Sequence, residues 1–278
     1  MKESIYLRKS VRTFGKNSLS GKDIQAVENL IEQLRPLKGP FGNSIRWFTF
    51  DSGAKQKDKT VKFGTYGGVK NASFFVGGII KNTTEAMVDY GYLFEQLILS
   101  LTHMNLGTVW LGLMFSRKTF ADKLGPDEII PAMTPVGYSA DIRSIRDKIT
   151  RISIKGDQRK QFDNMFFDLD FNHPIFESLD HPHRYASYLK LVQAAPSATN
   201  KQPWRIIIRE SKIDFYLERT PKYAKNMPFD VQHLDIGIAL KHFEIGLSED
   251  HIPFQIKKDP SLSSLEGMTY VTTINLLI

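Results

Sequence analysis

The chain has 278 residues, 41% of them hydrophobic and 12% aromatic, enough for a well-buried core in one large domain or two small ones. It has no cysteine, which excludes disulfides, thiolate metal sites and cysteine nucleophiles. The net charge of +7 comes from scattered basic residues (Lys55, Lys57, Lys59; Arg143, Arg146, Lys148, Arg151; Lys257, Lys258) and favours anionic ligands in general over nucleic acid in particular. MKESIYLRKS lacks the apolar run of a signal peptide, and the most apolar helical stretch carries Asp89, Glu95, Gln96 and His103. Neither secretion nor membrane spanning is expected, and a cytoplasmic location is the default.

In chain order, Ser4 to Lys9 reads as the end of a short helix. RKSVRTF then sets Arg8, Ser10 and Arg12 at a spacing of two, which in extended backbone places them on one side. Two guanidinium forks flanking a hydroxyl match a phosphate group, although a solvated basic tail has the same composition. Ser20 caps a predicted helix with Ile24, Val27, Leu30, Ile31 and Leu34 on one face, closed by Pro36. Trp47 to Phe50 and Ser73 to Ile80 read as strands, separated by a polar, glycine-rich excursion from Gly53 to Val69. Thr84 to Asn105 is the longest helical pattern and is apolar almost all round, as expected of a helix packed on several sides. GTVWLGL reads as a short strand, Arg117 to Leu124 as a short helix, and Ala132 to Tyr138 as a strand. The stretch from Asp141 to Lys160 is strongly basic.

Asp170 to Pro182, with two prolines and little periodicity, is the expected linker between an N-terminal half (1–172) and a shorter C-terminal half (173–278). The second half predicts a helix from Tyr185 to Ala194, strands from Trp204 to Arg209 and Ile213 to Glu218, a helix from Val231 to Asp250 and two last strands. Between the first helix and strand lies AAPSATNKQPW. Ser197, Thr199, Asn200 and Gln202 can all donate or accept there, and Pro196 and Pro203 stiffen the path. The corner suits either the polar edge of a flat ligand or a loop that satisfies its own backbone.

The two halves echo one another. DYGYLFEQLILSL at Asp89 aligns with DIGIALKHFEIGL at Asp235, and GNSIRWFTF at Gly42 aligns with TNKQPWRII at Thr199 through Asn43 and Asn200, and through Trp47 and Trp204. Pro196, Ser197, Gln202 and Pro203 have no equivalents in the first half, and RKSVRTF has none before Tyr185. A ligand site needing one motif from each half would therefore be complete once per chain.

The pair RKSVRTF and APSATNKQPW resembles the two signature segments of the FMN-dependent nitroreductase family, here in a form that looks like the family homodimer fused into one polypeptide. The resemblance covers nearly the whole chain. It implies an α+β nitroreductase-like fold of two related halves, with mainly antiparallel sheets around long central helices, and a monomer acting as a pseudo-dimer. It further implies FMN held by Arg8, Ser10 and Arg12 from the first half and by Pro196, Ser197, Ala198, Asn200 and Gln202 from the second. Gly112 would lie near the flavin, and Arg159 best matches the family's late basic residue, with Lys155 and Arg151 as competitors. Two departures accompany these: Leu111 where some members have an acid, and Asp157 in place of the first residue of a Lys-x-Arg pair.

The activity so implied is NAD(P)H oxidation coupled to reduction of nitroaromatic, quinone or similar small acceptors in a ping-pong cycle, with no acid-base side chain required and no catalytic residue named. Phe41, Phe63, Tyr66 and Phe229 are candidates to line the open face. The alternative is a non-catalytic flavin- or ligand-binding protein on the same fold. A nucleic-acid-binding protein is disfavoured because the basic residues are not interleaved with aromatics. His181 and His183 have no further metal ligands in sequence around them, and no metal is expected.

Overall fold

The computed structural model describes residues 1–52, 68–112, 115–140, 158–178, 180–223, 227 and 229–277. Helix α1 (Lys2–Leu7) leads into an extended stretch. Helix α2 (Gly21–Leu34) begins where the Ser20 hydroxyl accepts the Asp23 N–H at 3.1 Å, and it buries Val27, Ile31 and Leu34. Strands β1 (Arg46–Asp51), β2 (Phe74–Lys81), β3 (Glu128–Ile129) and β4 (Met133–Val136) form an antiparallel sheet centred on β2. Helix α3 (Thr84–His103) starts at Thr83, whose hydroxyl accepts the Ala86 N–H at 3.3 Å.

Strand β5 (Phe166–Asp168), helix α4 (Ala186–Gln193), strands β6 (Trp204–Arg209) and β7 (Lys212–Glu218), helix α5 (Val231–Glu249) and strands β8 (Phe254–Lys257) and β9 (Met268–Leu276) complete the described elements. The second sheet runs β5-β6-β7-β9-β8, and only its β5–β6 pair is parallel. Helix and sheet thus combine in an α+β arrangement with mainly antiparallel pairing. Strand β5 precedes residue 172 in the chain yet is hydrogen-bonded into the second sheet, and Phe162, Met165 and Phe166 are buried in the same core cluster as Trp204 and Phe243.

One expected strand takes a different form. Gly107 to Leu111 makes isolated bridges to both sides: Val11 donates to the Thr108 carbonyl at 2.8 Å, while Gly107 donates to Gly137 at 2.7 Å and Leu111 to Met133 at 2.8 Å. Sharing its hydrogen bonds between the N-terminal segment and the first sheet interrupts any continuous ladder. It also fixes Ser10 directly beside Thr108.

The centre of the molecule is the crossing of α3 and α5. A Cβ built on Gly91 would lie 2.1 Å from the Leu234 carbonyl oxygen, and one built on Gly237 would lie 2.0 Å from that of Val88. Each helix therefore presents a glycine to the backbone of the other. Around the crossing, Nε2 of the buried His242 meets the buried Glu95 at 3.0 Å, and Lys241 Nζ meets Gln96 at 3.0 Å and Glu244 at 2.7 Å. His242 Nδ1 also faces the Leu191 carbonyl at 2.8 Å, so it is the donor there.

Alanine ordinarily stabilises a helix interior by about 0.5–1 kcal/mol relative to glycine. At this crossing the sign should reverse, because backbone cannot rotate away from an added methyl. Gly91→Ala and Gly237→Ala should each cost about 2 kcal/mol or more, a fall in Tm of roughly 5 °C or more, whereas Gly21→Ala, whose Cβ meets nothing within 4 Å, should change Tm little. Thermal melts of the three variants check this, and an unchanged Tm in either crossing variant contradicts it.

Candidate functional site

The corner from Ala194 to Pro203 connects α4 to β6 and carries an unusual backbone. Thr199, Asn200 and Gln202 have φ of 51°, 55° and 47°, left-handed values that cost non-glycine residues free energy, most of all a β-branched threonine. What holds the strained path is a set of specific hydrogen bonds. The Ser197 hydroxyl accepts the Gln202 N–H at 2.8 Å, and the Thr199 hydroxyl meets the Tyr223 hydroxyl at 2.8 Å. Arg159 donates to Asn200 Oδ1 and to the Ala194 carbonyl, both at 3.2 Å, and Asn200 Nδ2 donates to the Gln158 carbonyl at 2.8 Å.

Arg159, Ser197, Asn200 and Gln202, separated by up to 43 residues, thus belong to one network. Within it their roles divide. Gln202 is 3% exposed, accepts the Lys160 N–H at 2.9 Å and donates to the Asn200 carbonyl at 3.2 Å, so its amide is a strut beneath the corner. Asn200, Ser197, Pro196 and Ala198 are only half-buried, and Thr199 is exposed.

Below the corner lies Asp235 on α5. Its Oδ1 accepts the Ala198 N–H at 2.9 Å, while Oδ2 is buried without a hydrogen-bond partner. The aligned residue in the first half, Asp89, is fully engaged: Oδ1 accepts the Phe41 N–H at 2.9 Å, and Oδ2 accepts both the backbone N–H and the side-chain amide of Asn43 at 2.8 Å. Phe41 aligns with Ala198 and Asn43 with Asn200, so the same hydrogen bond recurs in both halves. The difference is that Asn200 turns its amide to Gln158 and Arg159, and Asp235 is left short of donors.

Arg8, Ser10 and Arg12 lie half-buried on the extended segment after α1, with Ser10 bridged to Thr108 and the Arg12 carbonyl accepting the Lys70 N–H at 2.8 Å. The link from this segment to the corner is packing. Ile5 shares a buried cluster with Leu99, Leu191 and Ile245, against which Ala194 packs, so both motifs leave from one apolar patch. Trp110, two residues beyond Thr108, and Ala198 both pack against the buried cluster that holds Trp47, Phe94 and Leu97, and Trp110 donates its indole N–H to Glu95 at 2.8 Å.

Gly112 ends that segment. A Cβ built there meets nothing within 4 Å, and its carbonyl accepts from the Arg117 guanidinium. Arg117 also donates to Ile130 at 2.9 Å and Pro131 at 2.8 Å and lies over the rings of Phe115 and Phe229, at 4.5 Å and 5.0 Å from their centroids. Burial lowers its pKa to about 10, which leaves it charged at neutral pH.

The family profile described as "Putative TM nitroreductase" matches residues 1–247. The chain belongs to this nitroreductase family. Among solved structures, a Thermotoga maritima protein solved as a candidate nitroreductase superposes with a TM-score of 0.60 at 19% identity, covering 99% of this chain and 92% of that one. An FMN-dependent nitroreductase of Clostridium difficile covers 52% of this chain and 90% of its own at 15% identity, TM-score 0.39. A nitroreductase family protein from Clostridium novyi covers 50% and 84% at 17% identity, TM-score 0.38. No curated protein matches the sequence. Among the described residues, no helix is long and apolar enough to cross a membrane.

Of the nitroreductase features read from sequence, Leu111 is buried and bonded to Met133, so the place of the acid found in some members is filled by core. Asp157, Lys155, Arg151, Phe63 and Tyr66 lie outside the described residues. Phe229 is buried under Arg117 rather than open, and Phe41 is half-buried with its N–H on Asp89. Three residues around the site had no sequence signal of their own. Arg117 is one basic residue beside another, Tyr223 stands in an irregular stretch, and Asp235 was visible only as a term of the repeat.

Burial raises the Asp235 pKa well above the ordinary carboxylate value, only partly countered by the Ala198 N–H. A group whose folded-state pKa is raised leaves stability intact below its unfolded value, near pH 3.8, and loses it as pH rises through the window up to the folded value. Asp235→Asn keeps the acceptor for Ala198 and removes the titration. Its stability relative to wild type should therefore grow as pH rises above about 4. Urea melts across pH 4 to 8 check this; a pH-independent difference rules it out.

Proposed function

We propose that the chain is an FMN-dependent NAD(P)H oxidoreductase that reduces nitroaromatic, quinone or related small acceptors. The observation that carries this is the strained Ser197–Gln202 corner, held to Arg159 and rooted on the same apolar patch as the Arg8–Arg12 segment. In a nitroreductase these two motifs are the expected ligand pair, and the donor set suits the group. Arginine forks and a serine hydroxyl match phosphate oxygens. Half-buried Asn200 and the open space at Gly112 suit the edge and face of a flat heteroaromatic ring.

When bound, FMN supplies the two-electron chemistry, accepting hydride from NAD(P)H and passing it to the acceptor. The protein's part is placement. Arg8 and Arg12 would hold the phosphate, and Ser10 would lie between them, fixed by its bridge to Thr108. Asn200, held by Arg159 and Gln158, would present its polar head to the ring edge at no reorganisation cost on binding. Pro196, Ser197 and Ala198 would shape the wall, with Gln202 as the strut behind it.

The same proposal includes a pseudo-dimer in one chain, with halves at 1–172 and 173–278 and β5 of the first laid against the sheet of the second. What supports it is reciprocity: glycine on backbone in both directions at the α3–α5 crossing, Glu95 to His242 answered by Gln96 to Lys241, and an aspartate under each corner. Such two-way contacts characterise a two-fold interface. On this reading the first corner is closed by Asp89 and Asn43, so one FMN per chain is expected.

Reconstitution with FMN followed by protein and flavin quantification should give a ratio near one. Arg8→Ala and Asn200→Ala should each weaken FMN binding about tenfold or more while changing stability by less than about 1 kcal/mol. Two tightly bound flavins, or undiminished retention by both variants, would sink the assignment. NAD(P)H oxidation with excess menadione then separates enzyme from a non-catalytic flavin binder, for which a loaded sample would not turn over.

A further inference from the structure

Among the described residues, Arg117 holds a positive charge that no carboxylate answers. Its hydrogen bonds among the described residues go to the carbonyls of Gly112, Ile130 and Pro131, it lies over the rings of Phe115 and Phe229, and Tyr90 is within its electrostatic reach. The acids nearest to it along these elements are committed elsewhere. Asp230, next to Phe229, binds Arg219 at 2.7 Å and His233 at 2.8 Å. Glu128, on β3, binds Arg46 at 2.5 Å and the Gly125 N–H at 2.8 Å. Carbonyl dipoles and aromatic faces solvate a guanidinium without cancelling its net charge.

A half-buried cation without a counter-ion is costly, and its field reaches further than that of an ion pair. Beside it is Gly112, whose carbonyl it grips and whose α-carbon borders open space. None of the described acids fills that space, and an electron-rich group entering it would supply compensating negative charge. In the fold, Arg117 also ties the Gly112 segment to Phe229 at the entry to α5, so the charge is held still by both halves.

We propose that Arg117 is an electrostatic positioning residue of the candidate site, favouring the electron-rich, reduced form of the ring bound beside Gly112 over its oxidised form. This rests on the FMN reading above and deepens it. The fixed charge acts without forming or breaking a bond. Electrons and hydride come from NAD(P)H, and Arg117 shifts where the equilibrium between oxidised and reduced ring lies.

The test uses the full chain reconstituted with FMN, as wild type, Arg117→Gln and Arg117→Lys. The ratio of reduced to oxidised flavin is read spectroscopically at a fixed potential against a reference dye, and the Kd for oxidised FMN is read by fluorescence quenching. Arg117→Gln should lower the reduced-to-oxidised ratio tenfold or more, about 30 mV for a two-electron couple, with the oxidised-FMN Kd changed less than threefold. Arg117→Lys, which keeps the charge and loses the fork, should stay within threefold of wild type. An unchanged ratio in Arg117→Gln, or equal losses in both variants, overturns the proposal, the second outcome marking the fork as merely structural. If Arg117→Gln does not fold, the lysine variant decides alone: a tenfold loss there refutes the role. Wild-type protein that takes up no FMN overturns the flavin reading and this inference together, whereas normal uptake with an unmoved ratio overturns this inference only.

Discussion

The close crossing of α3 and α5 is the constraint on which the rest of the structure depends. Two helices approach with backbone against Cα, which is possible only because Gly91 and Gly237 have no side chain at the two contact points. That approach brings Glu95 to His242 and Lys241 to Gln96 in the interior, where unpaired polar groups would be strongly unfavourable. It also sets Asp89 and Asp235 at matching heights on the two helices, each under the corner that leads into a strand bearing a buried tryptophan, Trp47 or Trp204. Loosening the crossing would displace both corners at once.

From matching positions the two corners diverge most plainly at Asn43 and Asn200. Asn43 spends its backbone and amide N–H groups on Asp89, which closes the first corner on itself. Asn200 instead faces Arg159 and the Gln158 carbonyl, and a buried oxygen of Asp235 is left without a donor; left-handed backbone at Thr199 has its counterpart at Gly42 (φ 88°), but in the second corner it extends to Asn200 and Gln202. A fold tolerates strain and an unsatisfied carboxylate where the surrounding contacts over-determine the geometry, and such places concentrate at functional sites. The asymmetry between the two corners is therefore energetic as well as sequential.

Much of the fold was legible in the sequence. The Ser20 cap, the all-round apolar character of α3, the β-branched run of β6 and the long α5 all follow from local periodicity and capping, and each forms within a residue or two of its expected bounds. Gly107 to Leu111 did not, because alternation of side chains predicts extended backbone without saying which neighbours will take its hydrogen bonds. The candidate site was legible as two motifs. That Gln202 would be a buried strut, and that Phe229 would serve Arg117 rather than face a ligand, depended on elements distant in the chain.

By itself the sequence determined the element order, the repeat of aspartate, glycine and tryptophan, and the motif pair that marks a nitroreductase, since these rest on spacing along the backbone. Only the tertiary structure decided which partners those residues take. It drew Arg159 to Asn200, left one oxygen of Asp235 without a hydrogen-bond partner, and placed Arg117 on the Gly112 carbonyl with no acid beside it among the described residues. The physical reason is that hydrogen bonds and charge compensation act across a few ångströms of space, and the residues that meet there are five positions apart at Arg117 and Gly112, 41 at Arg159 and Asn200, and 147 at Glu95 and His242.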